Sequence, residues 1–550
     1  MKRDLRALAH GVADLVVIGA GIYGAAIARE AALRGLDVRL VERDDFGGAT
    51  SSNSHHIIHG GVRYLQHGDV PRVVESIRER YSLSRIAPHL VRPLPVVIPT
   101  YGHGLRGREL LAAGAAVHRA LELATGHRER LVLPGLPPGP LSKSRVLELL
   151  PGIHEHGLTG GVLLYDSQVT NSERLGLAML RAAVDAGARV ANYVEAYGFK
   201  RERGRVGAVV VRDRLEGMEI EIAARSFVNA AGPWISAVAR LAGIAAPPQR
   251  LVRALNLVTR EVFPRVAAGL YARRHHHDSS ELLARGQRLF FLVPWRSRTI
   301  LGTEYSPHAD DSSALGVRRS DVARLLDGIN EACPAARLTI DDVALIHCGL
   351  LPAAATSART GEPEIDKHYR IVDHAAEGAA GLVSVVGVKY TTARDVAERA
   401  VDFVFRSWGM QPSRSTSAER PLPGAELGAD FVAYRSAELS RGGGDIATLE
   451  RLIRNHGTRY VEVLRHVEPA GEDPSELALL RAEVRHAVRE EMAFTLADVV
   501  LRRSDLGAAG HPGADVLAAA ARFAAEDLGW SRERTAEEIV AVERRYRIPD

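Results

Sequence analysis

The run "GAGIYG" sets Gly19, Gly21 and Gly24 in a G-x-G-x-x-G spacing. The first glycine permits a tight turn, the second lets a pyrophosphate approach the backbone, and the third lets a helix pack closely on a strand. Glu42 stands further on, where a carboxylate can accept both hydroxyls of a ribose and would repel a 2′-phosphate. Soon after comes "TSSNSHHIIHGGVRY" (50–64), a mixture of hydroxyls, histidines, a Gly-Gly pair and an Arg-Tyr pair. A surface loop needs no such mixture; a segment that passes beneath a cofactor and ends in its active site does. The guanidinium of Arg63 is permanently charged and bidentate, which suits an oxyanion, although a surface ion pair is its plainer use. Gly387, Lys389 and Thr391 in "SVVGVKYTTAR" (384–394) fall at a strand-to-helix turn. A solvated helix-end lysine is the plainer use of Lys389 there.

These residues need elements to hold them. "DLVVIGAG" (14–21) is a buried-strand run ending in glycines, "IYGAAIAREAALRG" (22–35) a helix stopped by Gly35, and "DVRLVERDD" (37–45) a second strand. That order opens a doubly wound parallel sheet and is the context that makes the glycine fingerprint specific. Apolar spacing predicts a helix within 69–89, with Pro71 in its first turn. A helix at 173–187, a strand at 190–194, hairpin strands at 206–222 and "SFVNAAGPW" (226–234) return to the sheet, and 381–400 restores strand, turn and helix. Between them, 250–350 has shorter strands and turn signals. The expected organisation is a discontinuous cofactor domain (1–100, 150–250 and 351–410) with a helical or loop insertion at 101–149. An antiparallel substrate domain fills 251–350, a linker 411–424, and a helical domain 425–550.

Composition narrows the function classes. The chain has 550 residues, 46% hydrophobic and 25% charged, with a net charge of only +4. No basic block argues for nucleic acid. Two cysteines are too few for a disulfide framework, so a reducing compartment is expected. The most apolar long segment, "LLAAGAAVHRALELA" (110–124), is broken by His118 and Arg119 and falls short of the ~20 apolar residues of a membrane span. The amino-terminal residues run straight into a strand with no cleavable apolar leader, so a cytoplasmic location is expected. The arginines flanking 105–130 suit attachment to a membrane surface, and a helix packed on the protein itself suits them as well. No metal is expected, because neither a carboxylate nor a cysteine accompanies the histidines at ligand spacing. "RRHHHDSS" (273–280) reads as a solvated loop.

The run from 14 to 69 closely resembles the opening of the FAD-dependent glycerol-3-phosphate dehydrogenases. "APHLVRPLPVVIP" (87–99), "FVNAAGPW" (227–234), "SVVGVKYTTAR" and "EEMAFTLADVVLRRSDLG" (490–507) resemble later segments, in order, over nearly the whole chain. The His-Gly-Gly-x-Arg-Tyr-Leu segment and the Arg502-Arg503 pair are the specific parts. The resemblance implies an FAD-binding Rossmann-like fold of the glutathione-reductase and D-amino-acid-oxidase type, an antiparallel substrate domain, a carboxyl-terminal helical domain and non-covalent FAD. It implies that Thr50, Ser51 and Ser52 hydrogen-bond the pyrophosphate and flavin, and that Gly60 and Gly61 let the backbone lie near the ring. Val194 would touch the adenine side, with Ala231 and Gly232 closing over the dinucleotide. Gly387, Lys389 and Thr391 would abut the flavin pyrimidine, where charge and N–H groups stabilise the reduced ring. His59, Arg63 and Tyr64 would face the substrate.

Four positions depart from that pattern. His55 and His56 stand where the family has Ser and Lys, Asn256 replaces an active-site histidine, and Leu351 replaces an arginine. Lys367 keeps a further basic position. The expected activity is hydride transfer from a secondary alcohol, foremost a phosphorylated polyol such as sn-glycerol 3-phosphate, to flavin N5. Electrons would pass on to quinone or oxygen, and a homodimer is compatible with the reading. The alternatives are oxidation of another polyol phosphate, hydroxy acid or amine, and a degenerate flavin-binding partner or sensor.

Overall fold

The computed structural model describes residues 1–549 apart from 66–67, 104–106, 128–130, 247–248, 274–286, 309–314, 357–362, 367, 388, 428–429, 442–445 and 469–474. Two sheets organise the chain. The first has a parallel core in the order Leu382–Val386, Glu219–Asn229, Val12–Ile18, Val38–Val41 and Arg189–Ala191. Arg370–Asp373 closes one edge antiparallel, and the hairpin Val194–Glu202 with Arg205–Asp213 extends from Glu219–Asn229. Val38–Val41 is wholly buried and Val12–Ile18 is buried from Leu15 onward, as strands covered on both faces must be. The helix Ile22–Leu33 packs on this sheet with Ser172–Asp185 and Ala393–Ser407 beside it.

The second sheet is predominantly antiparallel and, among the described residues, has ten strands. Val343–Thr356, Leu251–Arg260, Arg298–His308, Gln287–Trp295 and Ala267–Arg273 come from the region expected to hold it. The sheet is nevertheless not confined to 251–350. Ala267–Arg273 pairs in parallel with Val91–Tyr101, which pairs in turn with Leu158–Val169. Short strands Ile57–Ile58 and Gly139–Leu141 add to Leu158–Val169. The proline-rich "VRPLPVVIP" run still makes a long strand, although three of its residues lack an N–H. Sequence order could not show this pairing, because the partners of Val91–Tyr101 lie far away along the chain.

The segment 411–424 is packed down. Arg29 donates to the carbonyls of Ser417 and Arg420, Arg394 to Ser417 Oγ, and Leu422 is fully buried with its N–H on Ile86 O. Beyond it the chain is helical, from Phe431–Arg441 to Arg532–Glu543. This helical part is bolted to the cofactor side by buried charges. Arg502 and Arg503 both grip Asp45, Arg502 also holds Asp498, and Tyr193 donates to Asp498. Arg174 on Ser172–Asp185 bonds Glu491, and Arg296 pairs with Asp505. The Arg-Arg motif is therefore a clasp on the loop that follows Glu42.

Candidate active site

One cavity of about 1780 Å³ is lined from both sheets and from the helical part of the chain. Its dinucleotide end is built around the first turn of Ile22–Leu33. Gly19 has φ +99°, and a Cβ there would lie 2.8 Å from Ala230 O; on Gly24 it would lie 1.8 Å from Gly19 O. Gly24 thus serves helix-on-strand contact, whereas Gly19 and Gly21 line the cavity. Ser51 Oγ accepts the Ile22 N–H at 2.9 Å, tying the histidine-rich segment to the helix start. Glu42 accepts N–H groups from Ala20 (2.6 Å) and Asp44 (3.0 Å), while burial pushes its carboxyl upward. A bare glycine at a helix N-terminus, a carboxylate at the strand end, and Val194, Ala231 and Gly232 along the wall fit a dinucleotide.

Several of the residues expected at the cofactor also hold the protein's own backbone. The Thr50 hydroxyl bridges the N–H and C=O of Leu350 (3.1 and 3.0 Å), so it pins the loop to the second sheet although Thr50 lines the cavity. Ser52 Oγ donates to Ala49 O inside its own turn. The Val194 N–H is committed to Glu42 O at 2.7 Å. Gly60 does not line the cavity: its N–H donates to Asp166 Oδ1 at 2.6 Å, and a Cβ would press on Arg80, Asp166 and His118. Gly61 does line it, with φ +84°.

The other end of the cavity holds the groups that could move protons. His59 Nδ1 lies 3.1 Å from Asp166 Oδ2, and the His59 N–H donates to Thr391 Oγ1 at 3.2 Å. Burial alone would push the Asp166 carboxyl up, but His59, the Gly60 N–H and Arg80 together hold it below the ordinary value. No hydrogen bond takes His59 Nε2 among the described residues, and the ring is 45% exposed on the cavity. A histidine oriented by a half-buried carboxylate at one nitrogen and open at the other is a general-base arrangement.

Lys389 Nζ lies 4.0 Å from the centre of the Tyr64 ring. Burial, with Arg72 adding, brings its ammonium down to about 8. Tyr23, inside the glycine fingerprint, donates to Lys389 O and accepts its N–H; a Cβ on Gly387 would collide with the Tyr23 ring at 2.1 Å. The 387–391 turn is thereby locked to the dinucleotide helix.

Asn256 and Leu351 line the cavity with Tyr271, Phe291 and Thr303. Asn256 Oδ1 accepts from Thr303 Oγ1 at 2.7 Å. The backbone of Arg63 is in the short helix Val62–Leu65, while its side chain and the whole of Lys367 lie outside the described residues, as does most of "RRHHHDSS". His55 lines the cavity and is pushed down to about 3, chiefly by burial; His56 stacks on Trp295 at 4.9 Å and lies well below its ordinary value for the same reason. These two departures are uncharged imidazoles.

Among the described residues, His456, His486 and Glu491 form the one cluster close enough for a metal. Arg174 bonds Glu491 at 2.5 Å and His456 Nδ1 at 3.0 Å, so a guanidinium already supplies the cation there. Asp166 was missed from sequence. Its signal was a lone carboxylate in the apolar strand "LTGGVLLYDSQV", an expensive placement without partners.

Residues 14–394 match the family of FAD-dependent oxidoreductases, and 415–535 match the C-terminal domain of alpha-glycerophosphate oxidase. A glycerol-3-phosphate dehydrogenase of Synechocystis is 31% identical over 549 residues, covering 96% of this chain and 95% of that one. The chain belongs to the FAD-dependent glycerol-3-phosphate dehydrogenase family. Another such relative, glycerol-3-phosphate dehydrogenase 2 of Mycobacterium tuberculosis, is 32% identical and covers 94% of this chain and 85% of its own length. The crystal structure of the Bacillus halodurans glycerol-3-phosphate dehydrogenase complexed with FAD superposes with a TM-score of 0.76 at 25% identity. That likeness covers 99% of this chain and 96% of the other. Membership makes FAD the dinucleotide for which the fingerprint and Glu42 are shaped.

Proposed function

We propose that this flavoprotein oxidises sn-glycerol 3-phosphate to dihydroxyacetone phosphate. The observation that carries the reading is one continuous cavity joining the dinucleotide turn to the His59–Asp166 pair, in a chain alignable end to end with glycerol-3-phosphate dehydrogenases. FAD, when bound, supplies the hydride acceptor. His59 Nε2 removes the hydroxyl proton, and Asp166 holds the proton on Nδ1 so that Nε2 keeps its lone pair. Lys389 places positive charge where negative charge develops on the flavin side, held there by Tyr64 and Tyr23. Phe291 and Tyr271 furnish apolar walls. Arg63, Lys367 and Lys389 are the cations proposed for the substrate phosphate, because Leu351 can bind no anion.

Quinone at a membrane surface is the proposed electron acceptor, with oxygen as the alternative. No helix among the described residues is long and apolar enough to cross a membrane. The helix Arg108–Ala124, however, turns Ala113, Ala116, Val117, Ala120, Leu123 and Ala124 to solvent on one face, with Glu109 the charge at its amino-terminal end. Such a face suits interfacial lipid. Anaerobic mixing of the purified protein with a panel of alcohols, amines and phosphate esters, followed by flavin bleaching, tests the assignment. Bleaching by glycerol 3-phosphate is expected; bleaching by an amine or hydroxy acid alone would replace it.

A further inference from the structure

The Tyr64 ring carries two cations. Lys389 Nζ lies 4.0 Å from its centre and Arg72 Cζ lies 5.1 Å from it. Tyr64 and Lys389 line the cavity, whereas Arg72 stands buried behind them in the first turn of the helix Val70–Ile86. The chain doubles back to bring them together. The Asp69 N–H donates to Tyr64 O at 3.1 Å, and Gly61 lies flat on the helix, where a Cβ would come within 3.2 Å of Val73 Cα. Asp69 caps that helix and pairs with Arg72 Nε at 3.4 Å. At its far end Arg72 Nη2 lies 2.7 Å from His368 Nδ1, and His368 donates its N–H to Asp366 Oδ1 at 3.1 Å. Asp366 lines the cavity as well. One guanidinium therefore ties the Tyr64 turn to the segment that carries Asp366 and His368.

A single cation on an aromatic ring is attracted to it, but two on one ring repel each other. After burial, Arg72 is the chief influence lowering the Lys389 ammonium; Glu75 and Asp69 pull it the other way. Among the described residues the other groups around Lys389 already have partners. Glu75 shares a hydrogen bond with Asp395 of the helix Ala393–Ser407, and burial and Asp395 push its carboxyl up. Arg399 holds Asp395 at 2.7 Å and faces the Tyr369 ring. Tyr23 bonds the Lys389 backbone. Arg72 is thus the cation that acts on Lys389 without lining the cavity.

We propose that Arg72 is a positioning residue for Lys389: from behind the cavity wall it holds Tyr64 against the ammonium and opposes its charge. The inference rests on Lys389 serving flavin reduction, as proposed above. Arg72 then sets the alkaline edge of that reaction, and Lys389 stays ready to lose its proton instead of being a fixed charge.

The test follows the Lys389 amine and the reaction it serves, both in FAD-loaded protein. The amine is titrated by its rate of acylation against pH, located by mass spectrometry. The reaction is followed as anaerobic flavin reduction by glycerol 3-phosphate over the same pH range. In Arg72→Gln both curves should move up by about 0.5–1 pH unit. Arg72→Lys keeps the charge and should hold both within about 0.3 unit. In a Lys389→Arg background, Arg72→Gln should leave the alkaline limb where it is. A folded, FAD-replete Arg72→Gln protein whose Lys389 titrates like that of the unmodified chain would overturn the proposal, leaving Arg72 a brace for the helix start. So would an equal shift in Arg72→Lys. If Arg72→Gln does not fold, His368→Ala decides, because His368 is exposed. Released at that end, Arg72 should let both curves rise by a smaller step, and no movement would overturn the proposal. A flavin that glycerol 3-phosphate does not bleach would instead remove the substrate reading, while the acylation curve still judges Arg72.

Discussion

Asp166→Asn isolates the proton-handling step. Asp166 is half-buried at the cavity wall, accepts the Gly60 N–H at 2.6 Å and faces His59 Nδ1 at 3.1 Å. An asparagine can keep the Gly60 bond through its carbonyl oxygen, but it then turns an NH2 toward Nδ1. The His59 proton is driven to Nε2, and the cavity meets a donor where it needs a lone pair. General-base catalysis is worth about 10²–10⁴ in rate, so flavin reduction by glycerol 3-phosphate should slow by about that factor. Losing the charged hydrogen bond should also cost about 1.5–3 kcal/mol of stability. The sign with pH follows from the depressed carboxyl. Its stabilisation is present above the ordinary carboxylate range and lost as pH falls through the lower folded value, so Asp166→Asn should flatten that acid limb. Anaerobic stopped-flow reduction, with FAD content and melting temperature measured alongside, is the assay. A reduction rate within about threefold of the unmodified protein, in a folded and FAD-replete variant, would refute His59–Asp166 as the base.

Other perturbations test other parts of the site. With the Lys389 ammonium at about 8, steps needing its charge should decline as pH rises through about 8, a limb that Lys389→Arg should move upward and Lys389→Met abolish. The unfolded chain holds that proton to a higher pH, so the same group should add stability as pH rises above about 8. Leu351→Arg should tighten glycerol 3-phosphate by roughly tenfold to a hundredfold in apparent KM, and no change would place the phosphate away from the strand Val343–Thr356. Arg503→Ala removes one of the two cationic partners of buried Asp45, leaving Arg502 and the Asn192 amide, and should cost about 3–5 kcal/mol in denaturant unfolding, with FAD released earlier than in the unmodified protein. Acid precipitation should release the flavin into the supernatant; flavin retained in the pellet would show covalent attachment.

The dinucleotide half was legible because its chemistry is local. Gly19, Gly21, Gly24 and Glu42 act through backbone conformation and strand ends that a short window of sequence specifies. The second sheet was only partly legible: Val91–Tyr101 and Leu158–Val169 look like strands, but nothing local says that they extend the substrate sheet. The packing of the expected linker 411–424 was hidden for a related reason. Its Ser, Pro and Arg composition suggests solvent, yet backbone carbonyls there satisfy the buried Arg29, and Leu422 plugs a core. In the site, His59 and Lys389 came from the family resemblance, whereas Asp166 and Tyr23 were not found. Each acts on a partner more than a hundred residues away, and only the folded chain brings them together.

The most direct test of glycerol 3-phosphate oxidation is an anaerobic titration of the FAD-loaded protein with that substrate, measuring flavin absorbance and dihydroxyacetone phosphate together. Bleaching that rises in step with the ketone, one molecule per flavin reduced, is predicted. A flavin that stays oxidised at millimolar glycerol 3-phosphate, yet bleaches with an amine or a hydroxy acid, would contradict it.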